Sequence, residues 1–102
     1  MTAIGDALVG SPLDAELLEI DDGNELHVTA HGVSVVEVEQ VFEDDPLWVP
    51  NKKGRTGNYL MVGRTNGNRP VTTAVVYDDI RRTVRPITAY ESTDAEITRW
   101  RF

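Results

Sequence analysis

Residues 31–46 constrain the fold of this chain most strongly, because they carry both the start and the end signals of a helix. Ser34 is followed three residues later by Glu37, the spacing of a capping box, in which each side chain accepts a hydrogen bond from the other residue's main-chain amide. Four apolar residues then share one helical face, namely Val35, Val38, Val41 and Phe42, and we expect the last three to be buried. Pro46 disfavours a helical conformation in the residue before it, so the pattern predicts a helix over residues 34–43.

The length of 102 residues fits one domain. Residues 1–15 show little hydrophobic periodicity, so we expect a flexible N-terminal extension followed by a single domain over residues 16–102. The chain has no cysteine, which excludes disulfides and thiolate catalysis. The N-terminus has no basic residue and no long apolar run, which argues against a signal peptide or a membrane anchor and predicts a cytoplasmic protein without membrane contact.

The elements on either side of the capping box follow from periodicity and turn residues. Residues 16–20 are predicted to form a short strand, and Asp21 or Asp22 to cap a first helix that runs to about residue 31. After residue 46 the apolar pattern changes to alternation, and turn residues such as Asn66-Gly67 separate the segments. Strands are predicted over residues 47–49, 59–65, 71–77 and 83–90.

The last strand and the last helix complete the predicted fold. Pro86 cannot donate a ladder hydrogen bond, so its strand should lie at an edge or be bulged there. Strand alternation would place Arg85, Ile87 and Ala89 on one face. Thr93 and Glu96 form a second capping box, which predicts a C-terminal helix. The expected fold is α+β, with an antiparallel four- to five-stranded sheet, two N-terminal helices and one C-terminal helix.

Charge is divided unevenly along the chain. Residues 1–46 contain twelve acidic and no basic residues, whereas residues 47–102 contain ten basic and five acidic residues, and the net charge is −7. A basic C-terminal half could bind phosphates while the acidic half faces elsewhere. Alternatively, the two halves interleave in space and largely neutralise each other.

Short motifs in a fixed order resemble a known family. The first group is Asp21-Asp22, Asn24, His27-Val28, His31-Gly32-Val33 and Glu37-Val38-Glu39. The second group is Tyr59, Val62-Gly63, Val75-Val76-Tyr77, Val84-Arg85, Ile87-Thr88-Ala89 and Ser92-Thr93. Over roughly residues 17–97 this succession resembles the BrnT-like proteins. The resemblance implies a small ribonuclease toxin of RelE-like fold, with a ribbon-helix-helix antitoxin as its partner and a monomer or weak homo-oligomer when free.

The resemblance also implies metal-independent cleavage of RNA without a cofactor. Arg85 matches a basic position of a family strand, and together with Arg69 it is a candidate to bind and stabilise the phosphate. Tyr59 or Tyr90 would position a base. An imidazole exchanges protons near neutral pH, so His31 is a candidate general base, although its position after a helix favours a structural role. Arg85 is structural instead if its face packs against the helices.

Further cations extend the candidate RNA-binding surface: Lys52, Lys53, Arg55 and Arg64. For any single arginine among them, a solvated surface charge is the favoured interpretation. His27 and His31 are four residues apart, a spacing that suits a metal ion, but no third ligand is obvious nearby. We therefore predict no metal site and expect both rings to pack under the first helix or to cap its carbonyl groups.

The chain departs from the family pattern where the family is basic. Asn58, Tyr90 and Ala30 stand at positions that carry basic residues in the family, and each departure removes positive charge that would meet RNA. The predicted function is therefore a toxin-type endoribonuclease or its attenuated descendant. The alternative is a catalytically inactive BrnT-like module that kept a protein-binding surface. The acidity could also be an adaptation to high salt, which would leave the function unchanged.

Overall fold

The computed structural model describes residues 11–102, which form a five-stranded sheet and three helices. The strands are β1 (Leu17–Leu18), β2 (Leu47–Pro50), β3 (Tyr59–Arg64), β4 (Pro70–Asp78) and β5 (Thr83–Glu91). The helices are α1 (Glu25–Val28), α2 (Val35–Glu43) and α3 (Asp94–Trp100), and a 3-10 turn, Pro12–Asp14, precedes β1. The α+β prediction is confirmed, whereas most of the predicted N-terminal extension, residues 1–10, lies outside the described residues.

The sheet is mixed, so the prediction of a purely antiparallel sheet is wrong. Its strand order is β1-β5-β4-β3-β2. The strands from β2 to β5 form an antiparallel meander, but β1 runs parallel to β5, with Leu17 opposite Thr83 and Leu18 opposite Val84. The chain leaves β1 through α1 and α2 and re-enters the sheet at the far edge. The two-residue β1 therefore finds its partner at the other end of the sequence, which its own residues do not reveal.

Helix α1 begins later and ends earlier than predicted, and the residues before it make other contacts. Asp21 Oδ1 accepts a hydrogen bond from the Gly23 amide at 2.8 Å, which forms a turn before the helix. The Asn24 amide group donates to the carbonyl of Glu19 at 3.1 Å and to that of Pro86 at 2.9 Å, and makes no cap hydrogen bond to α1. Buried Asn24 thus continues the contact between β1 and β5 past the end of β1.

Helix α2 follows its sequence pattern closely. Ser34 Oγ accepts from the Glu37 amide at 3.1 Å, and Glu37 Oε1 accepts from the Ser34 amide at 3.0 Å, so the capping box is confirmed. Val38 and Val41 are buried as predicted. Phe42 is only partly buried and meets Trp48 edge to face, with ring centroids 6.5 Å apart.

The two faces of the sheet have different roles. One face, here the core face, packs against α1 and α2, and its cluster contains the following buried side chains: Val28, Val33, Val38, Val41, Met61, Val71, Val75, Tyr77, Val84 and Ala89. Paired residues of neighbouring strands point to the same face. The opposite face, here the α3 face, therefore carries the row Val49, Leu60, Ala74 and Thr88 across four strands. The prediction of an alternating meander is confirmed in this arrangement.

A bulge in β5 reverses which residues point to which face. Ala74 lies opposite Thr88, but Val75 lies opposite Pro86, so Ile87 is the extra residue. The predicted irregularity at Pro86 is confirmed. Arg85 therefore shares the α3 face with Thr88, whereas Ala89 points into the core, and the prediction of a common face for Arg85, Ile87 and Ala89 is wrong.

Within residues 11–102, every helix is too short and too polar to cross a bilayer.

Two valines on α2 provide a matched test of this packing. Val38 is fully buried and Val36 is 57% exposed. Val38→Ala should lower the free energy of unfolding by about 2 kcal/mol, because it removes two buried carbon atoms and leaves a cavity. Val36→Ala should change the free energy of unfolding by less than about 0.5 kcal/mol. Urea denaturation of both variants measures the difference, and equal effects would show that the buried face of α2 is wrongly assigned.

Candidate functional site

An open cleft of about 480 Å³ lies on the α3 face, between the β2–β3 connection and α3. Its floor is the row described above, which consists of the apolar side chains of Val49, Leu60 and Ala74 together with Thr88. Three cationic side chains stand along it: Lys52 and Arg55 from the connection, and Arg99 from α3. Tyr90 and Trp100 add aromatic surface. We call this site the basic cleft.

The β2–β3 connection is held in place by Asn58. Its side-chain oxygen accepts from the Tyr77 amide at 2.8 Å, and its side-chain nitrogen donates to the Tyr77 carbonyl at 3.2 Å. The Asn58 amide also donates to the Val75 carbonyl at 3.0 Å. These hydrogen bonds extend the β3–β4 pairing by one residue. They anchor the β2–β3 connection, which contains Lys52 and Arg55, to the central strand β4.

The tip of the same connection is a compact turn. Asn51 donates from its side chain to the Thr56 carbonyl at 2.7 Å and accepts from the Lys52 amide at 3.0 Å. The Arg55 amide donates to the Lys52 carbonyl at 3.0 Å. The main chain between Lys52 and Arg55 is therefore folded back on itself, which brings both cations to the same side of the cleft.

Helix α3 supplies the opposite side. The predicted capping box is confirmed, because Thr93 Oγ1 accepts from the Glu96 amide at 3.1 Å and Glu96 Oε1 accepts from the Thr93 amide at 2.9 Å. Glu96 Oε2 also accepts from the Tyr90 hydroxyl at 2.6 Å. Burial and this carboxylate raise the pKa of Tyr90 to about 12, so its phenol is neutral and its proton is committed to Glu96.

The cations of the chain divide into paired and unpaired groups. Within residues 11–102 the ion pairs involve Arg69, Arg81, Arg82 and Arg85. The other six basic residues of that range form no ion pair there: Lys52, Lys53, Arg55, Arg64, Arg99 and Arg101. The acidic and basic halves thus interleave at four arginines, while the basic cleft keeps its positive charge.

Arg85, the first catalytic candidate, lies in an ion-pair cluster on the α3 face. Its guanidinium donates to both carboxylate oxygens of Asp21, at 3.0 and 3.1 Å, and to Glu19 Oε1 at 3.2 Å. The Arg85 hydrogen bonds are the main reason why the pKa of Asp21 is lowered, and Asp21 is likewise the main cause of the raised pKa of Arg85. The residue fastens β5 to the segment after β1, and it is not among the residues that line the basic cleft.

Arg69 is also occupied. Its guanidinium donates to Glu37 Oε1 at 2.9 Å, to Glu91 Oε1 at 2.9 Å and to the Gly32 carbonyl at 3.1 Å. These contacts join the β3–β4 turn to the start of α2 and the end of β5. Arg69 and Arg85 are therefore not brought together around one phosphate position.

The remaining catalytic candidates are scattered. Tyr59 lies on the core face, edge to face with Tyr77 at a centroid distance of 6.3 Å, whereas Tyr90 lies on the α3 face. His27 and His31 are exposed rather than packed, and the described residues contain no group of three potential metal ligands around them.

Two of the four predicted RNA-binding residues line the basic cleft. These are Lys52 and Arg55, whereas Lys53 is exposed outside its lining. Arg64 donates to the carbonyl of Asn68 at 2.9 Å and to the main-chain oxygen of Phe102 at 3.1 Å, and it lies 5.7 Å from the centre of the Phe102 ring. It therefore stabilises the end of the chain.

Sequence reasoning missed Arg99 and Trp100 as cleft residues. Their signal is a cation next to an aromatic residue at the end of a short capped helix. The two acidic residues of the same helix, Asp94 and Glu96, make that signal weak in the sequence.

No family model, curated protein or solved structure matches this chain. The resemblance to BrnT-like proteins therefore rests on the ordered motifs of the sequence.

Two glycines in the β2–β3 connection test how tightly it is anchored. Gly57 and Gly54 both have positive φ, 73° and 85°, so alanine is strained by about 1 kcal/mol at either site. At Gly57 the added Cβ would also collide with the Val75 carbonyl, whereas at Gly54 it meets nothing within 4 Å. Gly57→Ala should therefore destabilise clearly more than Gly54→Ala in urea denaturation. Equal losses would mean that the connection is not held against β4.

Protonation of Glu37 should weaken the contact between α2 and the sheet. The Ser34 amide and, secondarily, the Arg69 guanidinium lower the pKa of Glu37 from its usual 4.5. A folded-state pKa below the unfolded one gives stability that is complete above about pH 4.5 and is lost as the pH falls through the folded value. Glutamine can still serve in a capping box, so Glu37→Gln removes mainly the charge opposite Arg69.

The melting temperature of Glu37→Gln should therefore be lower than that of the parent protein at neutral pH, and the gap should shrink in acid. Glu39→Gln, an exposed position on the same helix with no ion pair among the described residues, is the control and should show little gap at any pH. Circular dichroism melts across this pH range measure both. A Glu37→Gln gap that is constant with pH would contradict the assignment.

Proposed function

We propose that this chain is an RNA-binding domain of the BrnT-like type, whose endoribonuclease activity is attenuated and centred on the basic cleft. The observation that carries the proposal is the convergence of Lys52, Arg55 and Arg99 on an apolar and aromatic cleft in a chain of net charge −7. Three cations without ion pairs among the described residues suit phosphate oxygens, and the aromatic surface suits unstacked bases. Such pairing of charge and stacking is typical of single-stranded RNA recognition.

Attenuation follows from where the catalytic candidates lie. The guanidinium groups of Arg69 and Arg85 donate hydrogen bonds to carboxylates, and the Tyr90 hydroxyl donates to Glu96. The cleft therefore offers cations that can stabilise charge on a phosphate, but the part of its lining that belongs to residues 11–102 holds no side chain placed as a general base. General acid–base catalysis contributes about 10²–10⁴-fold to the rates of enzymes, so we expect slow cleavage. The charge on the phosphate is met by side-chain cations, so the proposed cleavage is metal-independent.

The second candidate function is a catalytically inactive module that binds a ribbon-helix-helix antitoxin. It is favoured by the same ion pairs, because arginines that fasten the fold together are not available for catalysis. An antitoxin of acidic or amphipathic character would cover the basic cleft, and its association would be steered by charge and slowed by salt. Absence of cleavage together with tight binding of such a partner would favour this second function.

Binding of a short single-stranded RNA, followed by fluorescence anisotropy at several salt concentrations, tests the proposal. The logarithm of the affinity should fall with the logarithm of the salt concentration, with a slope of about −0.7 for each phosphate contacted. Arg55→Gln with Arg99→Gln should weaken binding at least about 10-fold and make the slope shallower by about 1.4. The control, Arg81→Gln with Arg101→Gln, changes the net charge equally but lies outside the cleft lining and should have little effect.

The same proteins, incubated with labelled RNA in the presence of a chelator, measure cleavage. We expect slow cleavage that is lost in the Arg55 and Arg99 double variant. Arg85→Gln should leave the rate within about threefold when the variants are compared at equal folded fractions, because its guanidinium is bound to Asp21 and Glu19. Equal RNA binding by the two double variants would overturn the assignment of the cleft. A large loss of the cleavage rate in Arg85→Gln would instead identify Arg85 as a catalytic residue.

A further inference from the structure

The basic cleft has the size and lining of a site for one nucleotide. We propose that it holds a single unpaired nucleobase against Trp100, with the phosphates of that nucleotide on Lys52, Arg55 and Arg99. The inference rests on the proposed function in that it concerns the same cleft. It goes further in naming Trp100 as the residue that binds the base, and in assigning the site to a nucleotide rather than to a length of RNA backbone.

The volume of the basic cleft suits a ligand of the size of one nucleotide. A cleft of about 480 Å³ falls within the range of sites that bind small molecules, about 300–1,000 Å³, and is bounded by α3 on one side and the β2–β3 connection on the other. A duplex presents its bases only at the edges of its grooves, so a base can enter such a site only when it is unpaired.

The indole ring of Trp100 lines the cleft. Among the described residues, the ring–ring contacts are those of Phe42 with Trp48 and of Tyr59 with Tyr77, both on the core face. Trp100 has no aromatic partner within residues 11–102, and its side chain is only partly buried. A planar base would cover this indole and the neighbouring apolar floor of Val49, Leu60 and Ala74.

A hydroxyl without a hydrogen-bond partner among the described residues lies at the floor of the cleft. Thr88 lines the cleft, and its Oγ1 is buried without a hydrogen-bond partner among the described residues. A buried hydroxyl without a partner is costly, and rotation about its χ1 bond would let it meet a polar edge of a base. Lys52, Arg55 and Arg99 then meet the phosphates at the rim, so one ligand with an apolar plane, a polar edge and two or more negative charges satisfies all three features.

A free nucleoside diphosphate and a nucleotide within single-stranded RNA share this chemistry. The chain has two tryptophans, Trp48 and Trp100, so Trp48→Phe leaves Trp100 as the only tryptophan reporter of the cleft. In that background, quenching of fluorescence is titrated with ADP, adenosine, pyrophosphate, a single-stranded RNA hexamer and the same hexamer as a duplex. Calorimetric titration of Trp100→Leu in the natural Trp48 background gives the affinities without the reporter, and circular dichroism confirms that each variant is folded.

The expected result is saturable quenching by ADP, with adenosine and pyrophosphate binding at least about 10-fold more weakly and the duplex failing to compete. Trp100→Leu should weaken ADP binding at least about 10-fold, whereas Trp48→Phe alone should not. Quenching by the hexamer but not by ADP supports the strand as the source of the nucleotide. Quenching by ADP without binding of the hexamer supports the inference and removes the proposed RNA function.

Two results would overturn the inference. One is equal binding of pyrophosphate and ADP, since the cleft would then be a site for anions alone. The other is RNA binding that Trp100→Leu leaves unchanged while Arg55→Gln with Arg99→Gln abolishes it, because the proposed function would stand without a base at Trp100.

Discussion

The carboxylate of Glu37 joins three parts of this fold that are far apart in the sequence. It accepts a hydrogen bond from the Ser34 amide at the start of α2 and another from the Arg69 guanidinium. The same guanidinium donates to Glu91 and to the Gly32 carbonyl. One group thereby fixes the start of a helix, the β3–β4 turn and the end of β5. Because Arg69 is 30% and Glu37 25% exposed at the side chain, the pair avoids the large desolvation cost of a fully buried ion pair. This contact ties the start of α2 to the sheet, while Val38 and Val41 pack the same helix on the core face.

The bulge at Ile87 decides which side chains of β5 reach that cleft. Before the bulge, Val84 and Pro86 point into the core and Arg85 points to the α3 face; after it, Ala89 points into the core. Without the extra residue, one parity would run the length of the strand, and Thr88 and Tyr90 would point to the core face instead. The site tolerates a proline because the Pro86 carbonyl faces Asn24, on the side of β5 toward β1. An amide hydrogen at this position would point to the same side, so its absence removes no hydrogen bond to β4.

The sequence predicted local features well and long-range partners poorly. Both capping boxes and the buried face of α2 follow from residues three to four positions apart, whose interactions are set by helix geometry. The irregularity at Pro86 follows from that residue alone, because it has no amide hydrogen to donate. The parallel pairing of β1 with β5, by contrast, joins residues far apart in sequence. The same is true of Asn24, whose amide is drawn away from α1 by a carbonyl 62 residues later, and of Arg85, whose carboxylate partners lie 64 and 66 residues earlier. Lys52 and Arg55 were predictable as a cationic loop, but their meeting with Arg99 and Trp100 depends on the tertiary fold.

The uneven charge of the chain acquires a physical meaning from these pairings. Four arginines of the C-terminal half are neutralised by carboxylates, largely from the N-terminal half, which leaves the remaining acidic groups of α1 and α2 on one side and the cleft cations on the other. At physiological salt the Debye length is about 8 Å, so the net charge of −7 repels a polyanion only weakly at a distance, while direct contacts in the cleft are screened less. A ligand must therefore be recognised at short range, through shape, stacking and a few cations. Such recognition favours a nucleotide whose base and phosphates both lie in the cleft over a polyanion attracted from a distance.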